Sequence, residues 1–210
     1  MSGAVVHVVD DDEQMRVALA RLLRAEGYEV RSYESAGHFL LTPPDGRPGC
    51  VLLDLHLPGP SGLDLQQALQ QHAIALPIVF LTGRGDIASS VRAMKAGAVD
   101  FLTKPVDPHT LLVAVDTALA HDRSRRASLE HVQDFASRLA RLSGRERSVF
   151  DQVVIGKLNK QIGDTLGISE RTVKMHRAQV MAKMEVASIA ELVHAAEILR
   201  SVGAPRSNDA

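Results

Sequence analysis

Five side chains in the first half of the chain are of the kinds that handle charged oxygens. Asp10 and Asp11 follow the apolar run "VVHVV", and Asp54 sits in "CVLLDL". Thr82 closes "PIVFLT" and is followed by the small Gly83; Lys104 follows "VDFLT". Clustered carboxylates repel one another unless a cation or a proton separates them. Hard divalent ions such as Mg²⁺ prefer oxygen ligands, so Asp10, Asp11 and Asp54 make a candidate Mg²⁺ site. A carboxylate beside such an ion can attack a phosphoryl donor. The phosphoryl oxygens then need donors, which Lys104 supplies as an ammonium and Thr82 as a hydroxyl. Gly83 leaves room for the group to enter. Taken singly, each aspartate is better read as the cap of a helix or turn. Five such residues, gathered at the ends of four apolar runs, argue for one shared rim.

The elements that must carry this rim alternate. Apolar runs at 5–9, 50–55, 77–82 and 99–103 read as buried strands, and "YEVRSY" as a strand nearer an edge. Between them lie helical patterns. Residues 15–25 place Met15, Ala18, Leu19, Leu22 and Leu23 on one stripe, and Gly27 ends the helix. Ser35 caps a short helix at 36–41, and further helices fit at 63–72 and 86–96. Asp107 with Pro108 opens a fifth. Strands alternating with helices predict an α/β fold: a five-stranded, doubly wound parallel sheet of flavodoxin-like type. In such sheets function gathers at the carboxyl ends of the strands, where the five residues lie.

A length of 210 residues fits two small domains. Net charge is −5 over residues 1–118 and +4 over the remainder, so the halves are expected to have different partners. No apolar run spans a bilayer, no secretory leader is visible, and the single Cys50 reads as a buried thiol; a cytoplasmic protein with no membrane contact is expected.

Residues 121–128 are polar, and Leu129, Val132, Phe135, Ala136, Leu139 and Leu142 then recur at helical spacing. This predicts a helical linker whose apolar stripe packs on a neighbour. Beyond it, Ser143 and Glu146 form a capping box, and Val149, Phe150, Val153 and Val154 a buried stripe. Asn159 is expected to cap a second helix, in which Ile162 and Leu166 face inward, and Gly167 to make a turn. Ser169 caps a third helix, with Val173, His176, Val180 and Met184 on one side and Arg171, Lys174, Arg177 and Ala178 on another. Helix, short glycine turn and basic helix is the spacing of a helix-turn-helix, whose second helix fits a major groove.

The wording of these motifs is specific. "VVDDDE", "DLHLPGPSG", "FLTG" and "AMKAGAVDFLTKP" resemble the receiver domain of two-component response regulators. "LSGRE" with "NKQIGDTLGISERTVKMHRAQVMAKM" resembles the LuxR-type DNA-binding domain, and the pair is most similar to FixJ-like members of the FixJ/NarL class. The resemblance implies a receiver at 1–120, a helical linker at 121–141, an all-α LuxR-type helix-turn-helix domain at 142–202 and a flexible tail at 203–210. It implies that Asp54 accepts a phosphoryl group from a sensor histidine kinase. Asp10, Asp11, Asp54 and the backbone carbonyl of His56 would hold Mg²⁺. Thr82 and Lys104 would read the phosphoryl group, and Phe101 would be the switch aromatic that follows Thr82. The Lys104–Pro105 peptide is expected to be cis. Lys174 and Met175 would point at base edges, with Thr172, Arg177, Gln179 and Lys183 as further DNA contacts. Phosphorylation would promote a homodimer that binds paired half-sites on double-stranded DNA, with RNA polymerase as a further partner to consider. The protein would not be an enzyme beyond its own phosphorylation and dephosphorylation. Two features depart from the common pattern. His56 and Arg84 occupy the variable positions flanking the phosphoryl site, and Gly163 stands where alanine is usual.

Overall fold

The computed structural model describes residues 3–42, 44–83 and 87–203, with side chains through residue 200. Arg84 and the expected tail from residue 204 onward lie outside the described residues. The chain forms two compact units, Met1–Arg126 and Ala127–Ala210.

In the first unit, strands β1 (Val5–Val9), β2 (Glu29–Tyr33), β3 (Gly49–Asp54), β4 (Ile78–Thr82) and β5 (Asp100–Thr103) form one parallel sheet in the order β2-β1-β3-β4-β5. Strands β1, β3 and β4 are buried throughout, as their unbroken apolar runs require. β2 lies at an edge, and its alternating sequence buries only every second or third residue fully. Helices α1 (Glu13–Ala25), α2 (Ala36–Leu41), α3 (Gly62–Gln71), α4 (Ile87–Lys95) and the start of α5 (Pro108–Ala140) connect or follow the strands. Ser35 and Ser61 cap α2 and α3, and Asp107 accepts from the backbone and hydroxyl of Thr110 at the start of α5.

One face of the sheet packs Val6, Val8, Leu52, Val79 and Leu81 with Leu19 and Leu23 of α1 and Leu111 and Val115 of α5. The other packs Val9, Val51, Leu53 and Phe80 with Phe39, Leu65, Leu69 and Ala93. Cys50 is fully buried in the first layer, and burial pushes its thiol up to about 12. The inward stripe of α1 differs from the expected one by a small rotation: Ala20 is buried and Ala18 is exposed. The polar stretch after residue 120 also behaves differently from a solvated linker. Asp122 is fully buried and accepts hydrogen bonds from the Gly49 amide (3.0 Å), Arg126 Nε (2.6 Å) and Arg125 Nη2 (2.6 Å). Arg126 in turn donates to the carbonyls of Gly46 and Arg47.

In the second unit the end of α5 is followed by α6 (Gly144–Val153), α7 (Asn159–Leu166), α8 (Glu170–Met184) and α9 (Ile189–Gly203). Phe135, Val149, Phe150, Val153, Ile162, Val173, Val180, Met184 and Leu192 form its core, with Leu139 and Leu142 packed against it. The apolar stripe of α5 thus has its neighbour, although Leu129 and Ala136 stay exposed.

Candidate functional site

The parallel register brings the strand ends together. Val9 pairs with Leu53, so Asp10 and Asp54 are the next residues on adjacent strands. Asp54 pairs with Leu81 and Thr82 with Thr103, which sets Thr82 and Lys104 beside them on the same rim. The Lys104–Pro105 peptide is cis, and the Lys104 amide donates to the Thr82 carbonyl at 2.6 Å.

Asp10 is fully buried, Asp54 nearly so, and Asp11 is exposed. One carboxylate oxygen from each lies within 4.8 Å of the others. Lys104 Nζ donates to Asp10 Oδ2 (2.6 Å) and Asp54 Oδ2 (3.1 Å). The opposite oxygens accept from backbone amides: Asp10 Oδ1 from Asp12 (3.0 Å) and Asp54 Oδ1 from His56 (3.3 Å). Burial raises the Asp10 carboxyl above the usual carboxylate range, against the lowering effect of Lys104. Burial also pulls the Lys104 ammonium down, but its bonds to Asp10 and Asp54 outweigh this and leave it raised. Three hard oxygen donors clustered on one rim fit a divalent cation of the Mg²⁺ type.

Asp12 has a separate task. It is the N-cap of α1, accepting from the amides of Gln14 (2.8 Å) and Met15 (3.3 Å). Thr82 is buried at the rim. Phe101 is partly buried, with its ring centroid 6.2 Å from that of Phe80. His56 is exposed.

Two residues of this site were not legible as functional from spacing alone. Gly62 opens α3 so close to β3 that a Cβ there would collide with the Asp54 carbonyl oxygen. A side chain at that position would displace the backbone of Asp54, and the only local signal is the turn "PSG" that precedes the helix. The second is Arg16, whose Nη1 donates to the carbonyls of Asp10 (2.8 Å) and Asp11 (2.9 Å).

In the second unit α7, the turn at Gly167 (φ +66°) and α8 form a helix-turn-helix. Gly163 is required by its packing: a Cβ would lie 2.7 Å from the Ile168 carbonyl oxygen, so the turn sits closer to α7 than alanine allows. Asn159 does not cap α7. The N-cap is Leu158, whose amide donates to Gln161 Oε1, while Asn159 Oδ1 accepts from Arg177 Nη1 at 2.6 Å. Ser169 caps α8 through the Thr172 amide and also bonds the Thr172 hydroxyl (2.8 Å). Lys174, Met175 and Gln179 are exposed on α8, with Met175 50% accessible. His176 is partly buried, its Nδ1 3.2 Å from Gln179 Oε1. Lys183, itself exposed, is paired within the unit. Its ammonium donates to Glu146 Oε2 at 2.7 Å, and that carboxylate also takes the Ser143 amide in the α6 capping box. Lys183, then the Ser143 amide, hold the Glu146 carboxyl down to about 2.

Comparison with known proteins agrees with both halves. Residues 6–116 match the response regulator receiver domain, and residues 140–196 match the bacterial regulatory proteins of the luxR family. Nodulation protein W of Bradyrhizobium diazoefficiens is 45% identical over 196 residues, covering 93% of this chain and 86% of that protein. The transcriptional regulatory protein FixJ of Rhizobium meliloti is 42% identical over 196 residues, covering 93% and 96%. Among solved structures, response regulator StyR has a TM-score of 0.80 at 42% identity, covering 93% of this chain and 99% of that one. The chain therefore belongs to the two-component response regulators of the FixJ-like class, with a receiver domain and a LuxR-type DNA-binding domain.

Proposed function

We propose that Asp54 is phosphorylated by a sensor histidine kinase and that this switches the protein toward dimerisation and sequence-specific DNA binding. The observation that carries the reading is the single ammonium of Lys104 set between Asp10 and Asp54, with the Asp11 carboxylate alongside. In the transfer, an Asp54 carboxylate oxygen forms a bond to phosphorus as the bond from phosphorus to the donor nitrogen breaks. Asp10, Asp11, Asp54 and the His56 carbonyl would hold Mg²⁺, which when bound offsets negative charge on the phosphoryl oxygens. Lys104 can follow the new charge because its ammonium already donates to the acceptor carboxylate. Thr82 supplies a hydroxyl on the same rim, and Phe101, on the strand beside it, is the residue expected to follow its movement. Asp54 is a substrate for one modification and its own hydrolysis, and the chain is not otherwise an enzyme.

Ile87, Val91 and Met94 expose apolar surface at helical spacing along α4, at 79%, 45% and 45%. Such a face on the element next to β5 suits a phosphorylation-dependent homodimer. Two LuxR-type domains would then read paired half-sites on double-stranded DNA. Lys174 and Met175 are the contacts offered to base edges, and Thr172, Arg177 and Gln179 those offered to the backbone or bases. Lys183 is exposed but already donates to Glu146, so its ammonium is shared between that carboxylate and any DNA contact. The lifetime of the phosphoryl group is expected to depend on His56 and Arg84, tested by dephosphorylation rates of their alanine variants.

The deciding experiment treats wild type and Asp54→Asn with acetyl phosphate and Mg²⁺ and follows intact mass and oligomeric state. Labelling and dimerisation of wild type alone are expected. Equal labelling and equal dimerisation of both would overturn the mechanism.

A further inference from the structure

The three rim carboxylates are not held alike. Asp10 is fixed by Lys104 and the Asp12 amide, and Asp54 by Lys104 and the His56 amide. Asp11 is exposed, and among the described residues its carboxylate accepts no hydrogen bond. Its direction is therefore set by its backbone. That backbone is gripped on both sides. Arg16 Nη1 takes the carbonyl of the peptide before Asp11 at 2.8 Å and the carbonyl of the peptide after it at 2.9 Å. The second peptide is held at its other end too, because its N–H, on Asp12, donates to Asp10 Oδ1 at 3.0 Å. Arg16 itself is placed by the first turn of α1, where its amide donates to the Asp12 carbonyl at 3.0 Å and the Asp12 side chain caps the helix. Two consecutive peptide planes with fixed carbonyls leave the Asp11 Cα–Cβ bond one direction, and the Asp11 carboxylate then falls within 4.8 Å of the other two.

We propose that Arg16 is a positioning residue for the cation site, acting on Asp11 through the backbone. It makes no bond to any of the three carboxylates among the described residues and so occupies no ligand oxygen. The inference rests on the reading of Asp10, Asp11 and Asp54 as cation ligands. Groups that orient metal ligands without touching the metal commonly matter ten- to a hundredfold in metal affinity.

The test is a titration of the full chain with MgCl₂, followed by calorimetry and by backbone amide shifts, on wild type, Arg16→Ala, Arg16→Lys, Asp11→Ala and the double variant Asp11→Ala with Arg16→Ala. Arg16→Ala is expected to weaken Mg²⁺ binding about tenfold. Arg16→Lys, whose shorter side chain can still donate more than once, is expected to recover part of the loss and keeps the test open should the alanine variant fail to fold. The double variant is expected to bind no more weakly than Asp11→Ala. Faster hydrogen exchange at the Asp12 amide in Mg²⁺-free Arg16→Ala is the companion signature. Wild-type affinity in Arg16→Ala, or a further loss of the same size on the Asp11→Ala background, overturns the proposal while leaving the cation site intact. Failure of wild type to bind Mg²⁺ at all overturns the cation-site reading and this one with it.

Discussion

In both units a lysine donates to a buried carboxylate. Lys104 reaches Asp10 and Asp54 in the first, and Lys183 reaches Glu146 in the second. The pairs differ in what else the carboxylate must do. Glu146 closes the capping box of α6, and the same oxygen serves Ser143 and Lys183, so the pair is part of a helix end. Asp10 and Asp54 have a third carboxylate within 4.8 Å, so their lysine balances only part of the local negative charge. The rim proposed to take a cation and a phosphoryl group thus keeps unbalanced charge in store, whereas the Lys183–Glu146 pair is balanced where it stands. The lesson for the basic half is that a lysine on the recognition helix is not automatically a DNA contact.

The sharpest break in this comparison comes from the aspartate run. Asp11→Ala is expected to abolish Mg²⁺-dependent phosphorylation by acetyl phosphate, read by intact mass. Asp12→Ala should label like wild type and lose about 1 kcal/mol of stability in urea unfolding, the usual worth of an N-cap. Full labelling of Asp11→Ala would place the metal elsewhere.

A smaller contrast follows from pH. His7 is buried against Tyr33 and Phe39, with its Nδ1 3.1 Å from the Tyr33 hydroxyl, and burial, then Arg31, lower it to about 4. The unfolded chain takes up this proton near pH 6.5, the folded unit only near 4. Stability is therefore full above 6.5 and declines as pH falls toward 4, by about 3 kcal/mol for a shift of this size. Glu146 has the opposite sense of shift, so its contribution is present above about 4.5 and is lost only as pH falls through about 2. Amide exchange resolved by residue should show acid weakening the first unit well before the second. His7→Gln should remove the difference between pH 6.5 and 4, and an unchanged slope in that variant would refute the assignment.

The smallest effects separate two lysines of α8. Lys174→Gln should lower the salt dependence of DNA binding by about one unit of slope with no change in folding. Lys183→Gln should do the reverse, reducing the thermal stability of the second unit and barely moving the slope. Interchanged outcomes would return Lys183 to the DNA-contact set.

Much of this was readable in the residues because the rim groups sit at or just past the carboxyl ends of strands, and a parallel register turns equal strand ends into one site. The helix-turn-helix was readable for a similar reason: Ser143, Gly167 and Ser169 are local punctuation. What escaped depends on partners far along the chain. Lys183 lies 37 residues from Glu146, and Asp122 lies 73 from the Gly49 amide it accepts. Nothing in local periodicity distinguishes a buried aspartate in a polar stretch from its solvated neighbours. Asn159 misled in the same way, since its side chain serves an arginine 18 residues on rather than its own helix.

The Asp122 contact bears on how the receiver half can be isolated for study. Gly49 begins the strand that ends in Asp54, and its buried amide has a carboxylate from residue 122 as its acceptor. A fragment cut after residue 120 would leave that amide without its partner and lose the Arg126 bonds to the loop before β3. An unmade buried bond of this kind costs about 1–3 kcal/mol. A fragment carried through residue 126 keeps every one of these bonds and is the better choice for titrating Asp54 by itself.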